Sequence, residues 1–245
     1  MARKRLDILL VERGLIESRA RARAAIEAGR VVVDGRVAAK PGELVEETAA
    51  LQAEPEHRWV SRAALKLAHA LELWPVIVEG RNVLDVGAST GGFTEVCLAR
   101  GAAKVFAVDV GRGQLHARLR ADPRIVDLQA TDARSLDRTL IPDRVDLIVC
   151  DTSFIGLEKV LPAALDLAQP GADLVALVKP QFEVGPGRVG KGGIVRDAAA
   201  QAEALEAAKA FVDGRGWRVQ GAADSPILGG DGNREFLLWA SRPAP

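Results

Sequence analysis

Five side chains at the ends of apolar runs carry most of the chemistry legible in this chain. Runs that read as strands end at Asp85, Asp109 and Asp151, Asp132 lies just past another, and Lys179 closes a fifth. In open α/β sheets ligands bind outside the carboxyl ends of the strands. Four carboxylates and an amine on that rim therefore point to a polar ligand and a reaction beside it. Asp109 stands 24 residues after Asp85, a spacing that suits hydrogen bonding to a ribose diol. Asp132 is placed to accept a hydrogen bond from an adenine amino group. A helix N-cap is the other reading of Asp132, and also of Asp151. A lysine at the rim of a buried parallel sheet reads as more than a surface charge.

The turn that would hold such a ligand is VLDVGASTGGFTE, residues 83–95. A short apolar run meets Gly87, Ser89, Thr90, Gly91 and Gly92, and a helical pattern begins near Phe93. Glycines allow close approach of backbone to a nucleotide, and a helix start offers unpaired N–H groups. A purely structural turn is the competing reading. The spacing GxxxGG, in place of GxGxxG, leans away from dinucleotides and toward S-adenosylmethionine.

The elements around these residues alternate strand and helix from residue 59 to the end. The expected fold is an α/β, Rossmann-like, seven-stranded and mostly parallel sheet. Its last strand, REFLLWAS, runs antiparallel after the loop PILGGDGN. A helix over SRAALKLAHALELW is expected to be capped by Ser61, with Leu65, Leu67 and Leu71 mostly inward. Lys66 on this helix reads, from the pattern alone, as solvent-exposed. GRGQLHARLR is expected to be helical and QPGAD a turn before the fifth strand. The basic, glycine-rich stretch 183–197 carries Arg188 and Lys191 and reads either as a mobile loop closing over phosphate-bearing substrate or as solvent loop.

Residues 1–58 read as a small separate domain, with the larger one at 59–245. Leu6, Leu9 and Leu10 share a helical face that Gly14 stops, Ser18 caps a second helix closed by Gly29, and Asp34-Gly35 marks a hairpin. Residues 1–30 hold eight basic side chains, among them Arg3, Lys4, Arg5, Arg19 and Arg23, against four acidic ones. The excess resembles an electrostatic footprint for phosphates, with a solvated helix face as the alternative. Lys40 and Arg62 extend the candidate set. Two helices, the second basic, followed by a D-G hairpin resemble the S-four-type RNA-binding domain.

Composition sets the remaining bounds. Lys plus Arg and Asp plus Glu number 33 each, so net charge says nothing about a polyanionic partner. Two cysteines, Cys97 and Cys150, and three histidines show no metal-ligand spacing, so no metal is expected. No signal peptide opens the chain and no apolar run approaches the roughly 18 residues of a bilayer span, so a cytoplasmic protein without membrane contact is expected. Tyrosine is absent, which excludes dehydrogenase chemistry that relies on a catalytic Tyr.

Across nearly its whole length the chain resembles the TlyA (hemolysin A) family of ribosomal-RNA 2′-O-methyltransferases, within the FtsJ-like group. The resemblance rests on RLDILLVERGL, WVSRAALKL, DVGASTGGFTE, DVGRGQL, CDTSFIGL, LVKPQFEVG and SPILGGDGNREFLLW. Ala63 stands where the family usually has Gly, Gly156 where Ser is common, and Asp132 where Asn is frequent. The resemblance implies transfer of a methyl group from S-adenosylmethionine to a ribose 2′-hydroxyl, of a cytidine in ribosomal RNA, by a monomer. It also implies that Lys66, Asp151, Lys179 and Glu235 form a catalytic tetrad. Lys179 would act as base or steer the oxygen lone pair, because a neighbouring lysine and a sulfonium disfavour a protonated amine. Asp151 would orient that amine, and Lys66 and Glu235 would hold the nucleotide. A non-catalytic RNA-binding assembly factor and a membrane-lytic protein are the other classes, with a NAD-dependent oxidoreductase a distant third.

Overall fold

The computed structural model describes residues 2–244. The chain divides into two compact units, 1–58 and 59–245.

In the first unit, β1 (Arg3–Arg5) leads directly into α1 (Leu6–Glu12), followed by α2 (Arg19–Glu27), β2 (Val31–Val33), β3 (Arg36–Val37), β4 (Leu44–Glu46) and β5 (Leu51–Ala53). Leu6, Leu9 and Leu10 are buried as their spacing requires, and Ser18 Oγ accepts from the Arg21 amide at 3.3 Å. The β2–β3 hairpin turns at Asp34 and Gly35, both at positive φ (48° and 81°), as a tight D-G turn demands. β1 pairs antiparallel with β4. A strand of Arg-Lys-Arg carries no apolar alternation and has no signature in the sequence.

The second unit opens with α3 (Ala63–Leu73), then runs β6 (Asn82–Val86), α4 (Gly92–Ala99), β7 (Lys104–Asp109), α5 (Ala117–Arg120) and β8 (Ile125–Gln129). It continues with β9 (Val145–Cys150), α6 (Leu157–Val160), α7 (Pro162–Leu167), β10 (Ala168–Val178), α8 (Pro180–Glu183), α9 (Ala198–Gly214), β11 (Arg218–Asp224) and β12 (Phe236–Ser241). Seven strands form one sheet in the order β11-β12-β10-β9-β6-β7-β8. β12 runs antiparallel to both β10 and β11, and the β10–β9, β9–β6, β6–β7 and β7–β8 pairs are parallel, as the sequence led us to expect.

Successive strand residues supply opposite faces of this sheet. Leu84, Phe106, Ile148 and Leu174 pack with Leu161 and Val212 on one side; Val83, Val105, Leu147 and Val175 pack with Leu67 and Val96 on the other. Both faces are thus covered by helices, which leaves the strand ends as the place for a ligand.

Four local expectations need correction. Ser61 does not cap α3; Arg62 occupies the N-cap, and Ser61 is instead pressed against α4 at Gly92. GRGQLH is a loop, because Asp109 Oδ1 and Gln129 Oε1 take the amides of Gly111 and Gly113, so only Ala117–Arg120 is helical. QPGAD lies within the span of β10, where the register against β9 shifts between Ala168 and Asp173 and Gly171 adopts φ 83°. Lys66 is buried, on the same face of α3 as Leu67 and Ala70.

Candidate active site

Two buried ion pairs meet at the carboxyl end of the sheet. β9 delivers Asp151, and its neighbour β10 delivers Lys179. Pro180 disfavours helical backbone at the residue before it, so Lys179 stays extended (φ −112°, ψ 100°) and ends the strand. Its Nζ lies 2.6 Å from Asp151 Oδ1 and donates to Ser153 Oγ at 3.1 Å. From the other direction α3 presents Lys66, whose Nζ donates to Glu235 Oε2 at 2.5 Å. Glu235 is the residue before β12 and is buried. Lys66, Asp151 and Lys179 line one cleft of about 320 Å³, together with Arg62, Thr90, Gly92, Phe93 and the apolar pair Ile227 and Leu228.

A second cleft of about 490 Å³ adjoins it and shares Gly87, Ser89, Asp151 and Ser153 with the first. Asp109, Gln114, Asp132 and Ala133 line its far part. Asp109 ties two turns together: Oδ2 accepts from the Ser89 amide at 2.8 Å and Oδ1 from the Gly111 amide at 2.7 Å. Asp132 caps the single turn Ala133–Ser135 through the Arg134 amide, so the capping role is real, yet it also faces the cleft. The Arg134 guanidinium holds the Asp132 carboxyl below the usual range.

The glycine turn is shaped by the protein's own packing as much as by any ligand. Gly87 has φ 86°, and a Cβ there would sit 2.9 Å from both the Asp151 carbonyl and Thr152 Cγ2. A Cβ on Gly91 would strike Leu119 and Leu115, and one on Gly92 would strike Ser61. Asp85, expected on the ligand rim, is wholly buried beneath the turn. Its Oδ2 accepts from Thr94 Oγ1 at 2.6 Å, and Oδ1 has no partner. Burial pushes its carboxyl up to about 7, with the nearby Asp151 charge adding to the rise and the Thr94 hydrogen bond opposing it. Both cysteines are buried, which raises Cys150 to about 12 and leaves both thiols inert.

The basic residues named from the sequence divide by partner. In the first unit Arg5 and Arg19 both bind the buried carboxylate of Asp7, which they draw down to about 2 against the desolvation that opposes them. Lys4 pairs with Glu12 and Glu47, and Arg3 lies 3.9 Å from Glu46. Arg23 and Lys40 are exposed and make no ion pair among the described residues. In the second unit Arg188 is held by Glu203 and Asp197, Lys191 is exposed, and Arg62 lines the smaller cleft.

Ser153 was missed in the sequence: it lies in a bend past the end of β9, where no alternation says which way a side chain faces, although Asp151 marked the spot. Phe154 was missed as well. It is 90% exposed at φ 67°, borders the larger cleft and packs on Phe182 at 5.3 Å between ring centres. No sequence pattern announces that conformation. Among the described residues, no cluster of His, Cys, Asp and Glu could hold a metal and no helix is long and apolar enough to cross a membrane.

A parallel sheet with one antiparallel strand next to its edge, and paired clefts at its carboxyl end, is the architecture of Rossmann-like methyltransferases. The FtsJ-like methyltransferase model matches residues 59–242, and the S4 domain model matches residues 4–50. The chain is 51% identical over 242 residues to the 16S/23S rRNA (cytidine-2′-O)-methyltransferase TlyA of Mycobacterium tuberculosis, covering 98% of this chain and 90% of that protein. It is 37% identical to Hemolysin A of Brachyspira hyodysenteriae, over 95% of this chain and 98% of that one. A solved structure described as a candidate hemolysin from Streptococcus thermophilus superposes with a TM-score of 0.77 at 39% identity, covering 100% of this chain and 90% of that one. The chain belongs to the TlyA family of FtsJ-like methyltransferases, with an S4 domain at its amino-terminal end.

Proposed function

We propose that this protein transfers a methyl group from S-adenosylmethionine to the 2′-hydroxyl of a cytidine ribose in ribosomal RNA. The observation that carries this reading is the meeting of the Lys179–Asp151 pair with the Lys66–Glu235 pair along a cleft that joins a second one. The second cleft suits the nucleoside part of the methyl donor: Asp109 is pinned by two amides where a ribose diol would bind, and the Asp132–Ala133 backbone lies where an adenine edge would be read. S-adenosylmethionine, when bound, supplies an electrophilic methyl on a sulfonium. The first cleft, with Arg62, Lys66 and Lys179, suits a phosphate-bearing ribonucleotide.

A 2′-hydroxyl is a poor nucleophile at neutral pH, so the chain must both place it and remove its proton. Placement falls to the cleft walls and to Lys66, which Glu235 fixes; a well-aligned pair of reactants gains several orders of magnitude in rate. Lys179 is the group positioned to take the proton, and Asp151 orients its amine. The residues doing this are all protein side chains, so the scheme needs no metal. The unit 1–58 would grip RNA and the unit 59–245 would carry the chemistry; the name of the Mycobacterium tuberculosis relative, an rRNA (cytidine-2′-O)-methyltransferase, supports the substrate. The test is transfer of labelled methyl to stripped ribosomal subunits. Lys179→Ala and Asp151→Ala are expected to abolish it while rRNA affinity stays within a fewfold of wild type. Near-normal turnover by either variant would overturn the assignment.

A further inference from the structure

We propose that Ser153 is a positioning residue that aims the Lys179 amine at the target hydroxyl, a statement that rests on the methyl-transfer reading above. Beyond its stem the Lys179 nitrogen has three tetrahedral positions, each an N–H in the ion-paired ammonium and one of them a lone pair once a proton has left. Around Lys179 Nζ, Ser153 Oγ accepts a hydrogen bond at 3.1 Å, while Asp151 Oδ1 lies 2.6 Å away as the counter-ion, outside hydrogen-bond geometry. An ion pair outside hydrogen-bond geometry holds the amine in place but leaves its N–H directions free. The Ser153 hydrogen bond fixes one of those directions and, with the Asp151 charge on a second side, leaves the lone pair the remaining direction. The Lys179 side chain is only 9% exposed, so that remaining direction is the cleft it lines.

The local backbone is built to hold Ser153 there. Just past β9, Asp151 and Ser153 both line the first cleft, while Thr152 between them packs toward Gly87. Phe154 then turns the backbone sharply at φ 67°, a conformation unusual for a bulky residue. Beyond it, Glu183 Oε1 accepts from the Leu157 amide at 3.0 Å and so ties α8, which follows Lys179, to the start of α6. The serine and the lysine are thus fastened on both sides. Ser153 also borders both clefts, where the two reactants meet.

In the step this serves, the 2′-oxygen forms a bond to the methyl carbon. The carbon–sulfur bond breaks with its electron pair remaining on sulfur, which becomes a neutral thioether. Lys179, an ammonium while paired with Asp151, first gives a proton to solvent, and its amine then takes the hydroxyl proton, so the net proton leaves to solvent. Ser153 neither gains nor loses a proton overall. Its contribution is directional, and misplacement on the scale of one ångström costs about 100-fold in rate.

The test compares Ser153→Ala and Ser153→Thr with wild type by steady-state methyl transfer to ribosomal RNA and by calorimetric titration with S-adenosylmethionine. Ser153 is exposed, so neither change threatens folding, and threonine keeps the hydroxyl. The expected result for Ser153→Ala is a kcat lower by about 10- to 100-fold, with KM for RNA and affinity for S-adenosylmethionine both within about twofold. Ser153→Thr is expected to recover most of the lost kcat. An undiminished kcat, a loss lying wholly in KM or in donor affinity, or a threonine variant no better than alanine would overturn the inference. A wild-type protein that transfers no methyl would overturn the underlying reading and this inference with it. An active wild type beside a fully active Ser153→Ala would overturn this inference alone.

Discussion

Lys66 and Glu235 stand 169 positions apart in the chain and meet through a 2.5 Å hydrogen-bonded ion pair that water hardly reaches. Taking two charges out of water is expensive, and attraction inside the protein repays it only while both are present. Glu235→Gln or Lys66→Met alone is therefore expected to cost about 3–5 kcal/mol, because each leaves one buried charge without its partner. The double variant Lys66→Met/Glu235→Leu is expected to recover most of that stability yet transfer no methyl. Urea unfolding midpoints beside an activity assay separate the two effects. A double variant less stable than both singles would show that the pair is kept for stability rather than for function.

Asp85 makes the stability of the large unit depend on pH in an unusual direction. Its folded value of about 7 lies above the ordinary 3.8, so the native chain keeps a proton that the unfolded chain gives up. Stability then falls as pH rises between those two values, by an amount on the order of 4 kcal/mol. Asp85→Asn keeps the size of the side chain and an oxygen for Thr94, and it does not titrate. Urea unfolding at several pH values between 4 and 8 is expected to show a smaller decline for the variant than for wild type. Parallel curves would place the charge of Asp85 in both states alike.

How far the sequence could be read depended on whether a feature is local. The ends of β7, β9 and β10 were legible because an apolar run meeting Asp109, Asp151 or Lys179 is visible in a few residues. So were the Leu6, Leu9 and Leu10 face and the Asp34-Gly35 turn. The antiparallel course of β12 was legible from the preceding loop. The burial of Lys66 was not, because it depends on a carboxylate from the far end of the chain. Ser61 looked like a cap until Gly92 of another helix claimed the space beside it. The loop over GRGQLH passed for helix because Asp109 and Gln129 capture its amides from neighbouring strands. The resemblance to a family supplied Lys66 and Glu235 as site residues; spacing alone did not.

In the small unit, Arg5 and Arg19 are engaged by Asp7 and Lys4 by two glutamates, while Arg23 and Lys40 are exposed without ion pairs among the described residues. Phosphate contact by the latter two needs no internal pair to be broken first. Arg23→Ala and Lys40→Ala are each expected to weaken rRNA binding, with the slope of log affinity against log salt falling by about one per residue. Binding measured from 50 to 300 mM salt would check this. Unchanged slopes in both variants would remove these two residues from the RNA contact.

Gly92 and Gly214 offer a paired prediction about what a single methyl group does. A Cβ on Gly92 would lie 2.3 Å from Ser61 Oγ and 3.1 Å from the Ala64 amide nitrogen. The serine can swing aside, but the amide moves only if the start of α3 moves, and Lys66 sits two residues further along that helix. Gly92→Ala is expected to destabilise the protein by about 1–3 kcal/mol through overpacking and to lower methyl transfer by displacing Lys66. Gly214, the last residue of α9, has nothing within 4 Å of its would-be Cβ and an ordinary negative φ. Gly214→Ala is expected to raise stability by roughly 0.5–1 kcal/mol, through the smaller entropy of the unfolded chain, with activity unchanged. Thermal unfolding of both variants beside the methyl-transfer assay reads the contrast. If Gly92→Ala kept full activity despite its lower stability, the position of Lys66 would not depend on how closely α3 approaches α4.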